Sequence, residues 1–173
     1  SAKPFFRGEL EAFQKSFEDW VGKPLSNQDM EHGIEVMNRN RQLMKKVYEY
    51  RKLPNPPLTG LEAMQMVVSS QMVDKEEHNK VLEEFLAELP DRNLDRETGT
   101  RLIIVGSEDD DTEFLKMVES VGATVVADDH CTGTRYFWDE VVPNGDPLHA
   151  IAARYVDRTP CPTKDWPERR RFP

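Results

Sequence analysis

Spacings of three and four residues between apolar positions predict helices over the first half of the chain. The first predicted helix covers Phe5 to Val21 and ends before Gly22. The second starts after Ser26, a predicted N-cap, and runs to about Tyr50, before a proline-rich break that cannot be helical. The apolar stripes of these two helices are Phe6, Leu10, Phe13, Phe17, Trp20, Met30, Ile34, Met37, Met44 and Tyr48. Each stripe is expected to pack into a helical core.

Capping signals predict two further helices. Thr59, followed three residues later by Glu62, has the pattern of a capping box that opens the third helix. Asp74 is predicted to start the fourth helix, and Pro90 closes it. Their predicted buried positions are Leu61, Met64, Val68, Met72, Val81, Leu82, Phe85, Leu86 and Leu89.

The hydrophobic pattern changes after residue 100. Leu102 to Val105 is an unbroken and largely β-branched run, which is typical of a strand buried on both faces in a parallel sheet. A helix capped by Asp111 or Thr112 follows, and Gly122 is placed to end it. Thr124 to Ala127 then forms a second strand, so the segment is predicted to be a right-handed βαβ unit.

These patterns divide the chain into two regions. Residues 1–95 are assigned to a helical region of about four helices, and the polar segment 91–100 is the candidate linker. Residues 96–173 are assigned to a partial α/β domain, which includes one more helix after Asp146. The predicted fold class is therefore α/β, with an N-terminal helical region followed by part of a parallel βαβ, flavodoxin-like three-layer domain.

Charge and composition exclude several kinds of partner. The net charge of −9 argues against nucleic acid, because a phosphate backbone requires clustered lysine and arginine. No apolar run approaches the roughly 18 residues that a membrane span requires. Two cysteines, Cys131 and Cys161, are too few for a disulfide framework. A soluble, cytoplasmic protein is expected, with neither nucleic acid nor membrane as a partner.

The segment after the second strand concentrates reactive side chains. Ligands of parallel sheets bind beyond the carboxyl ends of the strands, where both Gly106-Ser107 and this segment are predicted to lie. The segment consists of Asp128, Asp129, His130, Cys131, Thr132, Gly133, Thr134 and Arg135. Its position after the second strand and its reactive side chains therefore both make this segment the candidate site.

Four interpretations of this segment remain open on its residues alone. A phosphate cradle at Gly106 is disfavoured by the acidic residues 108–111, and the full dinucleotide motif is absent. A zinc site or a Cys131 nucleophile with His130 would require adjacent side chains to converge. The structural alternative is favoured: the two aspartates cap the next turn, Cys131 is buried, and Arg135 pairs with an aspartate.

Longer motifs carry a resemblance to a known family. They are DDHCTGTRYF, DPLHAIAARY and TPCPTKDWPERRRF, with the GKPLS turn at residues 22–26, Asn40-Arg41 in the second helix, and PPLTG at residues 56–60. This ordered set resembles the benzoyl-CoA reductase and 2-hydroxyacyl-CoA dehydratase family over nearly the whole chain. The CTGTRYF and PCPTKDW pieces are more similar to the benzoyl-CoA reductase subunits.

The resemblance implies an enzyme complex that reduces an acyl-CoA thioester by single electrons. Family members pair as two homologous iron–sulfur subunits, and a separate ATP-hydrolysing iron–sulfur activator supplies the electrons. Reductases reduce the ring of benzoyl-CoA, whereas dehydratases expel a hydroxyl group from the acyl chain. The resemblance favours a benzoyl-CoA reductase subunit over a dehydratase subunit, and a non-catalytic interaction or CoA-binding domain with the same fold is the further alternative.

The resemblance also implies roles for individual residues. Cys131, Thr132 and Arg135 are expected to line the cluster or substrate pocket, while Lys164 and Arg169 are expected to contact CoA phosphates. A [4Fe–4S] cluster is implied for the full-length protein, whose subunits each supply three cysteines. Since family members are roughly twice this length, the chain is expected to be a fragment that is inactive and holds no cluster or metal by itself.

Overall fold

The computed structural model describes residues 2–158, which form seven α-helices, one short 3-10 turn and a pair of parallel strands. The elements in chain order are α1 (Ala2–Val21), α2 (Asn27–Tyr50), α3 (Gly60–Met72), α4 (Lys75–Glu88), the 3-10 turn Leu89–Asp91, β1 (Thr100–Val105), α5 (Thr112–Ser120), β2 (Ala123–Asp129), α6 (Thr134–Phe137) and α7 (Pro147–Asp157). The predicted mixed α/β class, with its helical N-terminal part and parallel βαβ unit, is confirmed. Within the described residues, no helix combines the length and apolar character needed to cross a bilayer.

The predicted capping residues of the helices after α1 are confirmed by their hydrogen bonds, whereas α1 begins at Ala2, earlier than the predicted Phe5. The Thr59 side chain accepts from the Glu62 N–H, and the Glu62 carboxylate accepts from the Thr59 N–H at 2.8 Å, which completes a capping box. Ser26 and Asp29 exchange the same pair of bonds ahead of α2. Aspartate side chains accept backbone N–H bonds at the starts of the later helices α4, α5 and α7; these are Asp74, Asp111 and Asp146. These sequence signals are local, so they determine helix starts without help from tertiary structure.

The chain folds as two compact units that do not follow sequence order. Among the described residues, one unit contains residues 2–38 and 139–158, and the other contains residues 39–138. Helix α2 contributes its first part to one unit and its remainder to the other. The division of the sequence at residue 95 stays a prediction about domain organisation.

In the unit of residues 2–38 and 139–158, α1 packs against α7. The rings of Phe6 and Tyr155 meet edge to face, 6.0 Å apart. No residue of α1 is buried, and Phe13 and Trp20 are 69% and 82% exposed, so the predicted buried stripe is wrong over this half of the helix. The reason is length: α7 has 11 residues and α1 has 20, so α7 can cover only part of α1.

The core of the unit of residues 39–138 lies among α2, α3 and α4. Its members are Leu43, Met44, Val47, Tyr48, Leu58, Ala63, Val67, Leu82, Leu89 and Phe137. The prediction that Met44, Tyr48 and Leu82 are buried is confirmed. The same prediction is wrong for Met72 and Val81, which are 80% and 59% exposed because they point away from the packed face of their helices.

Among residues 2–158, helices cover one face of the two-stranded sheet and leave the other open. Leu102 and Ile104 of β1 pack against a buried cluster that includes Leu115 of α5. Ile103 and Val105, which alternate with them, are each 66% exposed. The predicted burial of β1 on both faces is therefore wrong for the described residues, because α3 and α5 lie on the same side of the sheet.

Strand β2 is longer than predicted and contains one extra residue relative to β1. Leu102 pairs with Val125, but Ile103 pairs with Ala127, so Val126 has no partner across the ladder. The strand continues to Asp129, which corrects the predicted loop that began at Asp128. The candidate site thus starts on a rigid strand and continues through residues 130–133 into the short helix α6.

Candidate functional site

The loops that follow β1 and β2 meet at the carboxyl edge of the sheet, as the topology predicts. The Cys131 N–H donates to the Ser107 carbonyl at 2.7 Å. The Asp109 N–H donates to the Thr132 hydroxyl oxygen at 3.0 Å, and that hydroxyl donates in turn to the Asp109 carbonyl. Three hydrogen bonds therefore tie the acidic loop after β1 to the candidate loop after β2.

The Thr132 hydroxyl is enclosed by this arrangement. His130 is 3% exposed, and its Nδ1 lies 3.1 Å from Thr132 Oγ1. Since Thr132 also exchanges hydrogen bonds with Asp109, its hydroxyl has several protein partners. Thr132 is thereby suited to fixing the loop, which is a different task from the predicted lining of a substrate pocket.

Asp128 faces the helical side of the sheet and caps the turn that follows it. Its Oδ1 accepts the Thr134 N–H at 2.7 Å, and its backbone carbonyl accepts the Thr134 hydroxyl, also at 2.7 Å. A Cβ at Gly133 would come within 2.1 Å of Asp128 Oδ1, so the loop requires glycine here for close approach. The predicted capping role is confirmed for Asp128 but is wrong for Asp129, whose carboxylate pairs with Arg135 instead.

Arg51 is the partner of Asp128, and sequence reasoning did not single it out. Its Nη1 lies 2.5 Å from Asp128 Oδ2, and its Nη2 donates to the Val125 carbonyl at 2.9 Å. The guanidinium also lies over the Tyr48 ring, 4.4 Å from its centroid. Arg51 is 1% exposed, so its charge is buried and compensated at the end of α2.

Burial and charge change the proton affinities of this group. Burial alone raises the pKa of Asp128, but the Arg51 charge and the hydrogen bonds that the carboxylate accepts hold that pKa below its ordinary value. Burial raises the pKa of Tyr48 well above its ordinary value, and the Asp128 charge acts in the same direction. Near neutral pH, the site therefore contains an ionised aspartate beside a neutral phenol.

The neighbouring aspartate faces the other way. Asp129 Oδ1 and Oδ2 lie 2.7 and 2.8 Å from Nε and Nη2 of Arg135, a two-point contact that confirms the predicted arginine–aspartate pair. The Arg135 side chain is 10% exposed, whereas that of Asp129 is 47% exposed. Arg135 of α6 is thus held by the last residue of β2, which limits the predicted direct contact with a ligand.

Cys131 carries a free thiol and is half-buried, so the expectation of a buried cysteine is wrong. Within residues 2–158, no group of three or more histidine, cysteine, aspartate or glutamate side chains converges as a metal site. The predicted contributions of Lys164 and Arg169, and the second cysteine Cys161, lie outside the described residues. The structure therefore brings Cys131, Thr132 and Arg135 into one loop region but leaves their contact with a substrate as a prediction.

A second buried polar cluster lies among α2, α3 and α4, and it was also missed. Asn40, 1% exposed, donates to the Asn79 side chain at 2.8 Å and lies 2.8 Å from Nδ1 of His78. The other ring nitrogen of His78 lies 3.1 Å from the Ser69 hydroxyl. Burial, and then the charge of Lys75, lower the pKa of His78. The only sequence signal was the Asn40-Arg41 motif within a helix.

The whole of this sequence, residues 1–173, matches the family described as 2-hydroxyglutaryl-CoA dehydratase, D-component. The chain belongs to the 2-hydroxyglutaryl-CoA dehydratase D-component family. The resemblance found in the motifs is thereby confirmed.

Curated relatives include both reductase and dehydratase subunits. A benzoyl-CoA reductase subunit of Thauera aromatica is 25% identical over 154 residues, 88% of this chain and 40% of the relative. The (R)-phenyllactyl-CoA dehydratase beta subunit of Clostridium sporogenes is 21% identical over 99% of this chain and 46% of the relative. The lactoyl-CoA dehydratase subunit beta of Anaerotignum propionicum is 22% identical over 93% of this chain and 43% of the relative. This chain thus spans less than half the length of each of these relatives.

The described residues do not fit the requirement of an iron–sulfur cluster. A [4Fe–4S] cluster is held by about four strong ligands, usually cysteine thiolates. Residues 2–158 provide Cys131 and no convergent group of acidic or histidine side chains around it. These residues could supply at most part of a ligand set in this D-component family chain, and no reaction step follows from them alone.

Proposed function

We propose that this chain is part of an iron–sulfur subunit of an ATP-driven benzoyl-CoA reductase, which reduces an aromatic acyl-CoA thioester by one-electron chemistry. The observation that carries the proposal is the family match over all 173 residues. The 25% identity to a benzoyl-CoA reductase subunit, beside 21% and 22% for the two dehydratase subunits, supports a reductase. The CTGTRYF and PCPTKDW motifs support the same choice.

In this proposal, the end of β2 and the loop after it form one wall of the thioester pocket. Cys131 is the residue of this wall that is proposed to face the substrate, because it is only half-buried and its thiol is free. Thr132 and Arg135 support the position of Cys131 and do not face the substrate themselves, since their polar groups already contact Asp109 and Asp129. Arg51 holds the base of the wall through Asp128. The wall thus orients the substrate and keeps water from it, as reactive acyl radicals require.

The cofactor and partners belong to the full-length protein in this proposal. A [4Fe–4S] cluster would supply single electrons of low potential, with ligands from beyond the described residues. A homologous second subunit and an ATP-hydrolysing iron–sulfur activator complete the assembly. Lys164 and Arg169 are the proposed contacts of CoA phosphates, because lysine and arginine are the cations that phosphate groups bind.

Two alternatives have specific support. A 2-hydroxyacyl-CoA dehydratase subunit is supported by the family description and by the two dehydratase relatives. A non-catalytic interaction or CoA-binding domain is supported by the candidate loop, where Thr132 and Arg135 are both bonded to the protein itself. The two catalytic functions predict different products from the same substrates, and the non-catalytic function predicts binding without a product.

The deciding experiment uses the full-length gene product, purified without oxygen together with its paired subunit. It is supplied with an activator, ATP and a low-potential reductant, and then with benzoyl-CoA, lactoyl-CoA or phenyllactyl-CoA. Ring-reduced CoA product, detected by mass spectrometry, is expected. Dehydrated acyl-CoA would establish the second function, and thioester binding without turnover would establish the third.

Two variants and one reconstitution sharpen this result. Cys131→Ala and Cys131→Ser are expected to lower turnover alike if the thiol itself is required, whereas only the alanine variant loses turnover if the loop needs a small polar group there.

The 173-residue chain, incubated anaerobically with iron and sulfide, is expected to gain no stoichiometric brown chromophore. A stable cluster on this chain would contradict the proposed need for further ligands.

A further inference from the structure

A polar pocket lies at the opposite end of the strands from the candidate site. Its volume is about 230 Å³, and Thr98 and Thr124 place it where β1 and β2 begin. The remaining walls come from the proline-rich turn after α2 and from the irregular segment after the 3-10 turn. The other lining residues are Asn55, Pro56, Pro57, Arg92, Asn93, Leu94, Arg96 and Glu97.

The two arginines of this pocket are held in place by groups that do not line it. Arg92 Nη2 donates to the Glu62 carboxylate on α3, and its guanidinium lies 5.5 Å from the Phe85 ring centroid. Arg96 donates to the Ala123 carbonyl at 3.3 Å and lies 3.5 Å from Glu119 on α5. Neither carboxylate is part of the pocket wall, so the wall presents two positioned guanidinium groups, each paired with a carboxylate outside the wall.

Arg92 has donor capacity that the protein leaves unused. Its Nη1 is buried and has no hydrogen-bond partner among the described residues. A buried donor without a partner costs free energy, and such a group calls for an acceptor. A guanidinium offers its donors in a planar fork that matches the oxygens of phosphate and carboxylate groups. Nη1 itself is closed off from solvent, so a ligand oxygen would meet the remaining part of this side chain, which is 30% exposed overall.

The neutral polar residues of the pocket add hydrogen-bond donors to those of the two arginines. The Thr98 hydroxyl lies 3.2 Å from the Asn55 side-chain oxygen and 3.0 Å from the Pro54 carbonyl, and the exposed Asn55 amide carries an NH₂ group that can donate. Asn93 contributes a second, exposed amide. The single carboxylate in the wall, Glu97, is exposed. Two guanidinium groups and two amides favour an anion with oxygens pointing in several directions.

We propose that this pocket binds a phosphoryl group, with Arg92 and Arg96 as its charged contacts and Asn55 and Asn93 as neutral donors. The group can come from free phosphate or from a nucleotide-containing ligand, because both present the same tetrahedral oxygens. The proposal goes beyond the proposed function, since it shares no residue with the loop after β2. It holds whichever acyl-CoA reaction the full-length protein performs.

The test is calorimetric titration of the folded 173-residue chain at constant ionic strength, which keeps screening equal between ligands. The probes are inorganic phosphate, pyrophosphate and adenosine 3′,5′-bisphosphate. Tighter binding of the bisphosphate identifies a nucleotide source, and equal binding identifies free phosphate. No heat from any probe up to roughly 10 mM, a concentration that would reveal even millimolar affinity, overturns the proposal.

Variants locate the binding. Arg92→Met and Arg96→Gln are each expected to weaken it by about tenfold, because a charge-assisted contact is lost. Asn93→Ala provides a milder loss at an exposed position that should not disturb folding, and Glu97→Gln should tighten binding. Arg39→Gln is the matched control, since Arg39 pairs with Glu83 on a different surface. Equal weakening by Arg39→Gln and by the pocket variants would show diffuse attraction to surface charge and would refute the site.

Discussion

Arg51 and Asp128 form an ion pair in which Nη1 and Oδ2 are 2.5 Å apart and the two side chains are 2% and 6% exposed. The pair connects the residue after α2 to the penultimate residue of β2. It therefore joins the helical core of residues 39–138 to the carboxyl edge of the sheet, where the candidate loop begins. Removing one partner would leave the other charged and buried, which is the costly case for an ion pair.

Arg51→Met is expected to lower the free energy of unfolding by about 3–5 kcal/mol, because Asp128 is left without its buried counter-charge. The measurement is urea denaturation followed by circular dichroism. Arg39→Gln breaks the exposed pair with Glu83 and should cost about 1 kcal/mol or less. Similar losses for the two variants would contradict a special role for the buried pair.

Stability should depend on Asp128 in acid. Its pKa is lower in the folded chain than the ordinary value of about 3.9, so the unfolded chain takes up the proton first. The contribution of this carboxylate is fully present above the unfolded pKa and is lost as pH falls through the folded pKa. Denaturation curves between neutral pH and pH 3 measure it.

Asp128→Asn isolates this contribution from those of other carboxylates. Asp29 and Asp146 also have lowered pKa values, caused mainly by hydrogen bonds that they accept, so the wild-type curve contains several groups. The variant should be less stable at neutral pH, and its stability should fall less steeply with acid than that of the wild type. Parallel curves for the two proteins would show that Asp128 does not titrate as expected.

Two glycine substitutions should have opposite effects. A Cβ at Gly60 would lie 2.5 Å from the Val125 Cβ and 2.9 Å from the Val125 carbonyl oxygen, so Gly60→Ala should push α3 from β2 and cost about 1–3 kcal/mol. Gly33 is an exposed position of α2 with no atom within 4 Å of an added Cβ. Gly33→Ala should stabilise by about 0.5–1 kcal/mol. Thermal melts of both variants test this, and a stabilising Gly60→Ala would disprove the close approach.

Thr132→Val should loosen the candidate loop without unfolding the chain. Valine has the shape of threonine but cannot exchange hydrogen bonds with Asp109, so a cost of about 1–2 kcal/mol is expected. The Cys131 thiol should then react faster with a colorimetric thiol reagent at neutral pH. Thr100→Val, an exposed position at the start of β1, serves as the control and should leave the reaction rate unchanged. If the Cys131 thiol of Thr132→Val reacted at the wild-type rate, Thr132 would not be the residue that fixes the loop.

Local signals explain what the sequence predicted well. The capping pattern Thr59 with Glu62, and the Asp111 cap of α5, involve residues three apart and therefore need no knowledge of the tertiary fold. The parallel βαβ unit also follows from the order of two apolar runs around one helix. By contrast, burial of the Phe13 and Trp20 stripe depends on how much of α1 is covered by α7, and no local pattern contains that information.

The buried ion pair shows why the candidate site was only partly predictable. Arg51 and Lys52 are adjacent basic residues after α2, yet the Arg51 side chain is 2% exposed and that of Lys52 is 64% exposed. What distinguishes them is contact with β2, more than seventy residues later in the chain. The chemistry of residues 128–135 could be noticed in the sequence, but the group that supports it from α2 could not.

The unpaired Val126 decides which of two identical neighbours becomes the buried one. Side chains alternate along a strand, so an uninterrupted ladder from Val125 would have turned Asp129 toward Arg51 and Asp128 toward Arg135. The one extra residue in β2 exchanges the directions in which the Asp128 and Asp129 side chains point. At this position the register of the ladder carries information that no side chain holds: because Val126 is left out of the pairing, Asp128 lies opposite Ile104 and Asp129 lies opposite Val105.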